Sequence, residues 1–139
     1  SKTGAVMVVG GTVGAGDDAG FIYTLYGFTF LSELELLQEA GFHPIDVIQC
    51  ATGNNAKLMG LEDQLGRVRP GFLADLILID ENPLANLKYL YPTGVLDIKD
   101  GKTVVRGGIK WTIKDGLVYE TPRLMREVRE LVTKARAAK

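Results

Sequence analysis

Residues Gly10-Gly11-Thr12-Val13-Gly14-Ala15-Gly16-Asp17-Asp18-Ala19-Gly20 constrain this chain more than any other stretch. Small residues run into two adjacent carboxylates and then a glycine. Glycines let a backbone turn tightly and come close to another group. Two neighbouring aspartates at a strand end are poorly suited to a core, because a buried charge needs a partner. Here alone the sequence sets up chemistry. The remaining residues read as scaffold that holds this strand or covers it.

The 139 residues make one domain the default, with room for a second small one. Apolar residues make up 46% and charged residues 24%, an ordinary balance for a globular protein. A net charge of −1 offers no basic footprint for nucleic acid. No apolar run approaches the roughly 20 residues that span a bilayer. Ser1-Lys2-Thr3-Gly4 does not read as the start of a secretory leader. The single cysteine, Cys50, rules out an internal disulfide. These features point to a cytoplasmic protein with neither a membrane nor a nucleic acid as partner. The chain lacks an initiator Met and begins close to an apolar run, as an excised piece of something longer would.

Residues 4–9 are valine-rich and read as a strand, and residues 12–15 as a second short one. Residues 21–30 read as irregular and packed by their rings. Ser32 with Glu35 is a capping-box pattern. Leu34, Leu37 and Ala40 follow near helical spacing, and Gly41 ends the helix as a left-handed cap. Pro44 suits the first turn of a second helix, with Ile45, Val47, Ile48 and Ala51 on its buried side. A third short helix follows Thr52-Gly53 and stops at Gly60. The character changes near Leu61, and residues 73–80 read as a buried strand. Asp100-Gly101 and Asp115-Gly116 lie between strand-like runs, and both residues of such hairpin turns need positive φ. With Gly107-Gly108 as a further turn, the pattern predicts one meander. Thr121-Pro122 starts a last helix with Leu124, Val128, Leu131, Val132 and Ala135 on one face. Its arginines and lysines read as a solvated face.

Gly14-Ala15-Gly16-Asp17-Asp18-Ala19 fits the relaxed dinucleotide-binding pattern. That loop aims N–H groups at a phosphate, and two aspartates would repel the anion. No helix follows at once, and no Gly-Lys-Ser/Thr makes a Walker loop. A carboxylate here has two other uses. At the end of a barrel strand it can bind a cation and take a proton from metal-bound water. In a turn it can cap the N–H groups of Phe21 and Ile22. Spacing leaves both open. His43 is the only histidine, so the chain cannot build a multi-histidine site by itself; at a helix start it caps or packs. Cys50 reads as a small buried hydrophobe. Trp111 and the tyrosines read as packing, and Asn54 and Asn55 as serving the turn into the third helix.

Four segments follow one another in a set order: Gly16-Asp17-Asp18-Ala19-Gly20; Glu33-Leu34-Glu35-Leu36-Leu37-Gln38-Glu39-Ala40-Gly41-Phe42-His43-Pro44; Ala51-Thr52 with Asn55-Ala56 and Leu58-Met59-Gly60; and Leu65-Gly66-Arg67-Val68, Pro70-Gly71, Ala74-Asp75-Leu76 and Asn82-Pro83-Leu84. Across residues 10–86 they resemble the C-terminal third of the amidohydrolase superfamily, particularly its imidazolonepropionase- and prolidase-like branch. The resemblance implies an α/β fold with a β-rich tail. It would be the C-terminal end of a (β/α)8 metal-dependent hydrolase barrel, the C-terminal part of a small β-sandwich and a final helix. Residues 1–60 would be the last barrel strand and closing helices, residues 61–121 the sandwich portion with its hairpins, and residues 122–139 the C-terminal helix. On this template the run before Gly10 ends a helix instead of forming a strand.

Asp18 takes the place of the family's last-strand aspartate, which the resemblance makes both a catalytic general base and a metal ligand. Asp17 stands where the family has Thr or Ser. The implied cofactor is a divalent metal, zinc, with most ligands outside this chain. The implied activity is hydrolysis of a C–N bond in a small-molecule amide, cyclic amide or dipeptide. The alternative is a non-catalytic accessory or assembly module that keeps the sandwich and helices. A barrel strand without neighbours leaves two open edges. The expected partner is therefore the rest of the barrel or another copy of the chain, and residues 1–139 alone are expected to be inactive.

Overall fold

A computed structural model describes residues 11–138. The run at residues 4–9, a strand by composition and a helix end by resemblance, lies outside the described residues. Helical segments come first: α1 (Thr29–Glu39), α2 (Pro44–Gln49) and α3 (Asn55–Leu58), the last two joined by a π-helical turn (Cys50–Asn54). There follow β1 (Leu76–Ile79), a 3-10 turn (Leu87–Leu90), β2 (Val95–Lys99), β3 (Lys102–Arg106), β4 (Ile109–Lys114), β5 (Leu117–Glu120) and α4 (Thr121–Ala137).

α1 begins ahead of the predicted cap. Phe28 holds the N-cap position without a side-chain bond, and Ser32 lies within the helix. The Ser32 hydroxyl instead faces that of Tyr91 at 3.4 Å. Leu31, Leu34 and Leu37, spaced for one helical face, are buried. Gly41 ends the helix as expected. Its N–H bonds the Gln38 carbonyl at 2.9 Å and the Phe42 N–H bonds that of Leu37 at 3.2 Å, the paired bonds of a Schellman cap.

From Pro44 to Leu58 the chain is one helical run, where the sequence suggested two helices divided at Thr52-Gly53. The Thr52 hydroxyl donates to the Ile48 carbonyl at 2.7 Å where the helix widens, and the π turn takes up the extra residue. Val47 and Cys50 are buried on this run, whereas Ile45, predicted inside, is exposed. Leu31, Leu34, Leu37, Phe42, Val47 and Cys50 form the core with Leu87 and Leu90. Val13, Ala15 and Ile79 pack on its edge. The core thus lies between α1, the α2–π run, the 3-10 turn and the segment that leads to the two aspartates.

The four hairpin strands fall where the turn chemistry placed them. Asp100 and Gly101 have φ of 50° and 72°, and Asp115 and Gly116 have 49° and 77°. The predicted single meander does not form. β4 is the centre of a three-stranded antiparallel sheet ordered β1-β4-β5, and β2 and β3 pair only with each other. Gly107-Gly108 carries the chain from one sheet to the other. A Cβ on Gly107 would lie 2.8 Å from the Cα of Tyr89, so this crossing presses against the 3-10 turn. Arg106 ties the sheets together. It donates two bonds to Glu81, at 3.0 and 2.9 Å, and one to Asp97 at 3.0 Å. Its guanidinium also lies over the Tyr89 ring.

Several predicted apolar contacts are open. The strand expected at residues 73–80 shortens to β1 and is half-exposed, with the adjacent Ile77 and Leu78 both open to solvent. The rings of Phe21, Tyr23 and Tyr26 lie in solvent instead of packing residues 21–30. Leu124, Val128, Leu131 and Val132 on α4 are likewise exposed. No helix among the described residues is long and apolar enough to cross a membrane.

Candidate functional site

Residues 11–18 form no regular element and pair with no strand among the described residues. The strand predicted at residues 12–15 is therefore a lone segment, and side chains supply its partners. Asn54 Nδ2 donates to the Val13 carbonyl at 2.8 Å. Asn55 engages Ala15 twice: Oδ1 accepts the backbone N–H at 3.0 Å and Nδ2 donates to the carbonyl at 2.7 Å. Gly14 makes this approach possible, since a Cβ there would lie 2.3 Å from Asn55 Oδ1. Asn54 and Asn55 thus hold the segment of the aspartates, a role the sequence reading missed when it assigned them to a turn. The available clue was chemical: a carboxamide carries the donor and acceptor of a peptide group.

The two aspartates have different surroundings. Asp17 is half-buried, and its Oδ2 accepts a hydrogen bond from the Thr29 hydroxyl at the start of α1. Asp18 is exposed and adopts a left-handed φ of 46°. Its carbonyl, not its carboxylate, accepts the Phe21 N–H at 3.3 Å and the Thr24 hydroxyl at 3.1 Å. The turn is thus held by backbone oxygen, which corrects the reading of an aspartate side chain capping Phe21 and Ile22. Among the described residues no donor bonds the Asp18 carboxylate. It projects from the turn free for other contacts.

The other candidates lie apart from this corner. His43 holds the N-cap position of α2, but its side chain is exposed and makes no capping bond. Cys50 is 2% exposed, as a small buried hydrophobe should be. Burial pushes its thiol above the ordinary value of 9.0. Trp111 sits on β4 and is 46% exposed, so it is only partly a packing residue. No three of His, Cys, Asp and Glu converge among the described residues. The described part of the chain therefore fits a metal as the donor of one carboxylate, not as a complete centre. A cleft of about 620 Å³ is bounded by Ile48, Thr52, Asn54, Lys57 and Arg67 and includes neither aspartate.

The sequence profile of the Amidohydrolase family matches residues 10–132, and the chain belongs to that family. An adenine deaminase of Desulforamulus reducens is 41% identical over 68 residues, covering 49% of this chain and 10% of the relative. A 5'-deoxyadenosine deaminase of Methanocaldococcus jannaschii is 35% identical over 88 residues, covering 56% of this chain and 20% of the relative. Among solved structures, a Xaa-Pro dipeptidase with methionine bound in its active site superposes with a TM-score of 0.67 at 30% identity, over 86% of this chain and 25% of that one. The chain thus spans between 10% and 25% of the length of these relatives. The relatives are hydrolases of C–N bonds. The chain has the mixed α/β arrangement of part of such an enzyme, with small antiparallel sheets and a final helix.

Proposed function

We propose that residues 1–139 are the C-terminal part of a metal-dependent hydrolase that cuts C–N bonds in amides, cyclic amides or dipeptides. In this reading residues 1–60 are the last barrel strand and closing helices. Residues 61–121 are the C-terminal share of the sandwich, and residues 122–139 are the final helix. Asp18 is a ligand of a divalent metal, zinc, and the general base. As base, the carboxylate takes a proton from the attacking water and returns it to the leaving nitrogen. The metal, held mainly by groups outside this chain, polarises the scissile bond when bound.

One observation carries the choice of residue. Asp17 is tied to Thr29, while Asp18 stands exposed in a left-handed turn with no donor on its carboxylate. A carboxylate already committed to a hydroxyl is a poorer ligand and base than one left open.

The test is an assay of the full-length gene product, loaded with zinc, against dipeptides, N-acyl amino acids, cyclic amides and aminopurines. Asp18→Asn is expected to lower kcat by about 100-fold or more, the usual range for losing a general base. Asp17→Asn is expected to cost far less. Residues 1–139 produced alone are expected to turn over none of these. Full activity in the Asp18→Asn enzyme would refute the role given to Asp18. Turnover by the isolated chain would refute the reading of an incomplete site. A full-length product inactive on every substrate class would favour the accessory-module alternative.

A further inference from the structure

We infer that Asn55, with Asn54 beside it, is a positioning residue that fixes the segment carrying Asp18. The inference rests on the role given to Asp18 above. In the proposed barrel this segment would also take ladder bonds from neighbouring strands, none of which lies among the described residues. The Asn55 carboxamide holds the segment from within this chain. It presents an acceptor and a donor in one plane, as a peptide group does, and Ala15 uses both.

Asn54 extends the hold to Val13. Val13 and Ala15 are two residues apart, and the asparagine pair takes both of their carbonyls. The π turn ends at Asn54 and α3 begins at Asn55, and both carboxamides reach this one segment. Asn54 is also anchored inward, with Nδ2 3.8 Å from the buried Cys50 Sγ. Gly14 completes the fit by lacking the Cβ that would strike Asn55. Asp18 follows Ala15 by three residues and enters its left-handed turn there. A slide or rotation of the segment at Ala15 would displace the carboxylate.

The test uses the full-length gene product and four variants: Asn55→Ala, Gly14→Ala, their combination, and Asp18→Asn. Amide hydrogen exchange is measured beside kcat and KM. Asn55→Ala is expected to lower kcat by about tenfold to a hundredfold, because a misplacement near 1 Å can cost about that much, while KM stays close to its original value. Exchange is expected to quicken at Ala15 and through to Asp18, but not at Leu34 and Val47 in the core. Gly14→Ala should reproduce this pattern, and the combined variant should lose little more than either alone, since both break one contact.

Unchanged exchange at Ala15 with unchanged kcat overturns the inference. So does faster exchange throughout the core, which would mark a general structural role. Should Asn55→Ala fail to fold, Asn54→Ala removes the Val13 bond, together with the weaker contacts to Cys50 and Gln49, and carries the same comparison. If Asp18→Asn keeps full activity, the catalytic reading fails by itself. Exchange at Ala15 in Asn55→Ala then still decides whether the segment is held as inferred.

Discussion

Burial decides what the one thiol of this chain can do. Cys50 is 2% exposed, and burial raises its thiol above the ordinary 9.0, with the Asn54 bond opposing and Asp46 adding to the rise. Because the thiolate is the nucleophile, Cys50 is expected to resist iodoacetamide at mildly alkaline pH in the folded protein and to react once denaturant is added. Mass spectrometry of alkylated samples checks this, and rapid labelling of the native protein would contradict it. The linkage has a definite sign. The folded state keeps the proton where the unfolded chain begins to lose it. The contribution of Cys50 to stability is therefore complete below pH 9.0 and falls as pH rises through the higher folded value. Its burial was legible in the sequence, because the flanking Ile48 and Ala51 already marked an apolar stretch. The difference between Asp17 and Asp18 was not. It depends on Thr29, 12 residues from Asp17, which no local pattern selects. The roles of Asn54 and Asn55 were hidden for the same reason, since their bonds to Val13 and Ala15 span 41 and 40 residues.

Elements divide along the same line between local and distant causes. The hairpins β2–β3 and β4–β5 were legible to the residue, because Asp-Gly turns specify the two residues that must take positive φ. Sheet membership was not, because β4 pairs with β1 across the intervening 3-10 turn and β2–β3 hairpin. The helix start at Thr29 was also missed: a capping-box pattern at Ser32 is outweighed by burial of Leu31 ahead of it. Distant contacts also join the two sheets, chiefly through Arg106. Its hydrogen bonds hold the carboxyls of Glu81 and Asp97 below their ordinary values of 4.5 and 3.8. Groups depressed in this way add stability that is present above those values and is lost as pH falls through the lower folded ones. Arg106→Met is therefore expected to lower the melting temperature by a few degrees at neutral pH. The gap to the unmodified protein should narrow as pH drops below 3.8. Thermal melts followed by circular dichroism across that range test the point; a gap that stays constant with pH would show that Arg106 acts through packing on Tyr89 and not through the two carboxylates.

At the scale of the whole molecule, the surface is too large for the mass. The chain exposes 10000 Å², whereas a compact monomer of 15.1 kDa exposes roughly 7,100 Å². The apolar part of this surface is gathered into faces. Leu96 and Ile98 lie two residues apart on β2, hence on one face, and Leu96 is paired with Val105 of β3. These three residues are 77%, 76% and 63% exposed. A second face is the stripe of Leu124, Val128, Leu131 and Val132 on α4, and a third is the loop of Phe21, Ile22 and Leu25. Single exposed apolar residues are ordinary, but contiguous faces mark surfaces that another body covers. Within the amidohydrolase reading that body is the rest of the barrel or a second copy of the chain. Residues 1–139 produced alone are accordingly expected to bind an apolar fluorescent dye strongly and to elute as more than one copy. The full-length gene product should bind the dye weakly. Size-exclusion chromatography with light scattering, run beside dye titration, separates the cases. A chain that stops at a dye-dark dimer has covered its faces with its own copy. A chain that keeps associating and stays dye-bright is missing segments that only the longer protein supplies. A dye-dark monomer would show that these faces need no cover, and would remove the physical reason for placing the chain inside a larger body.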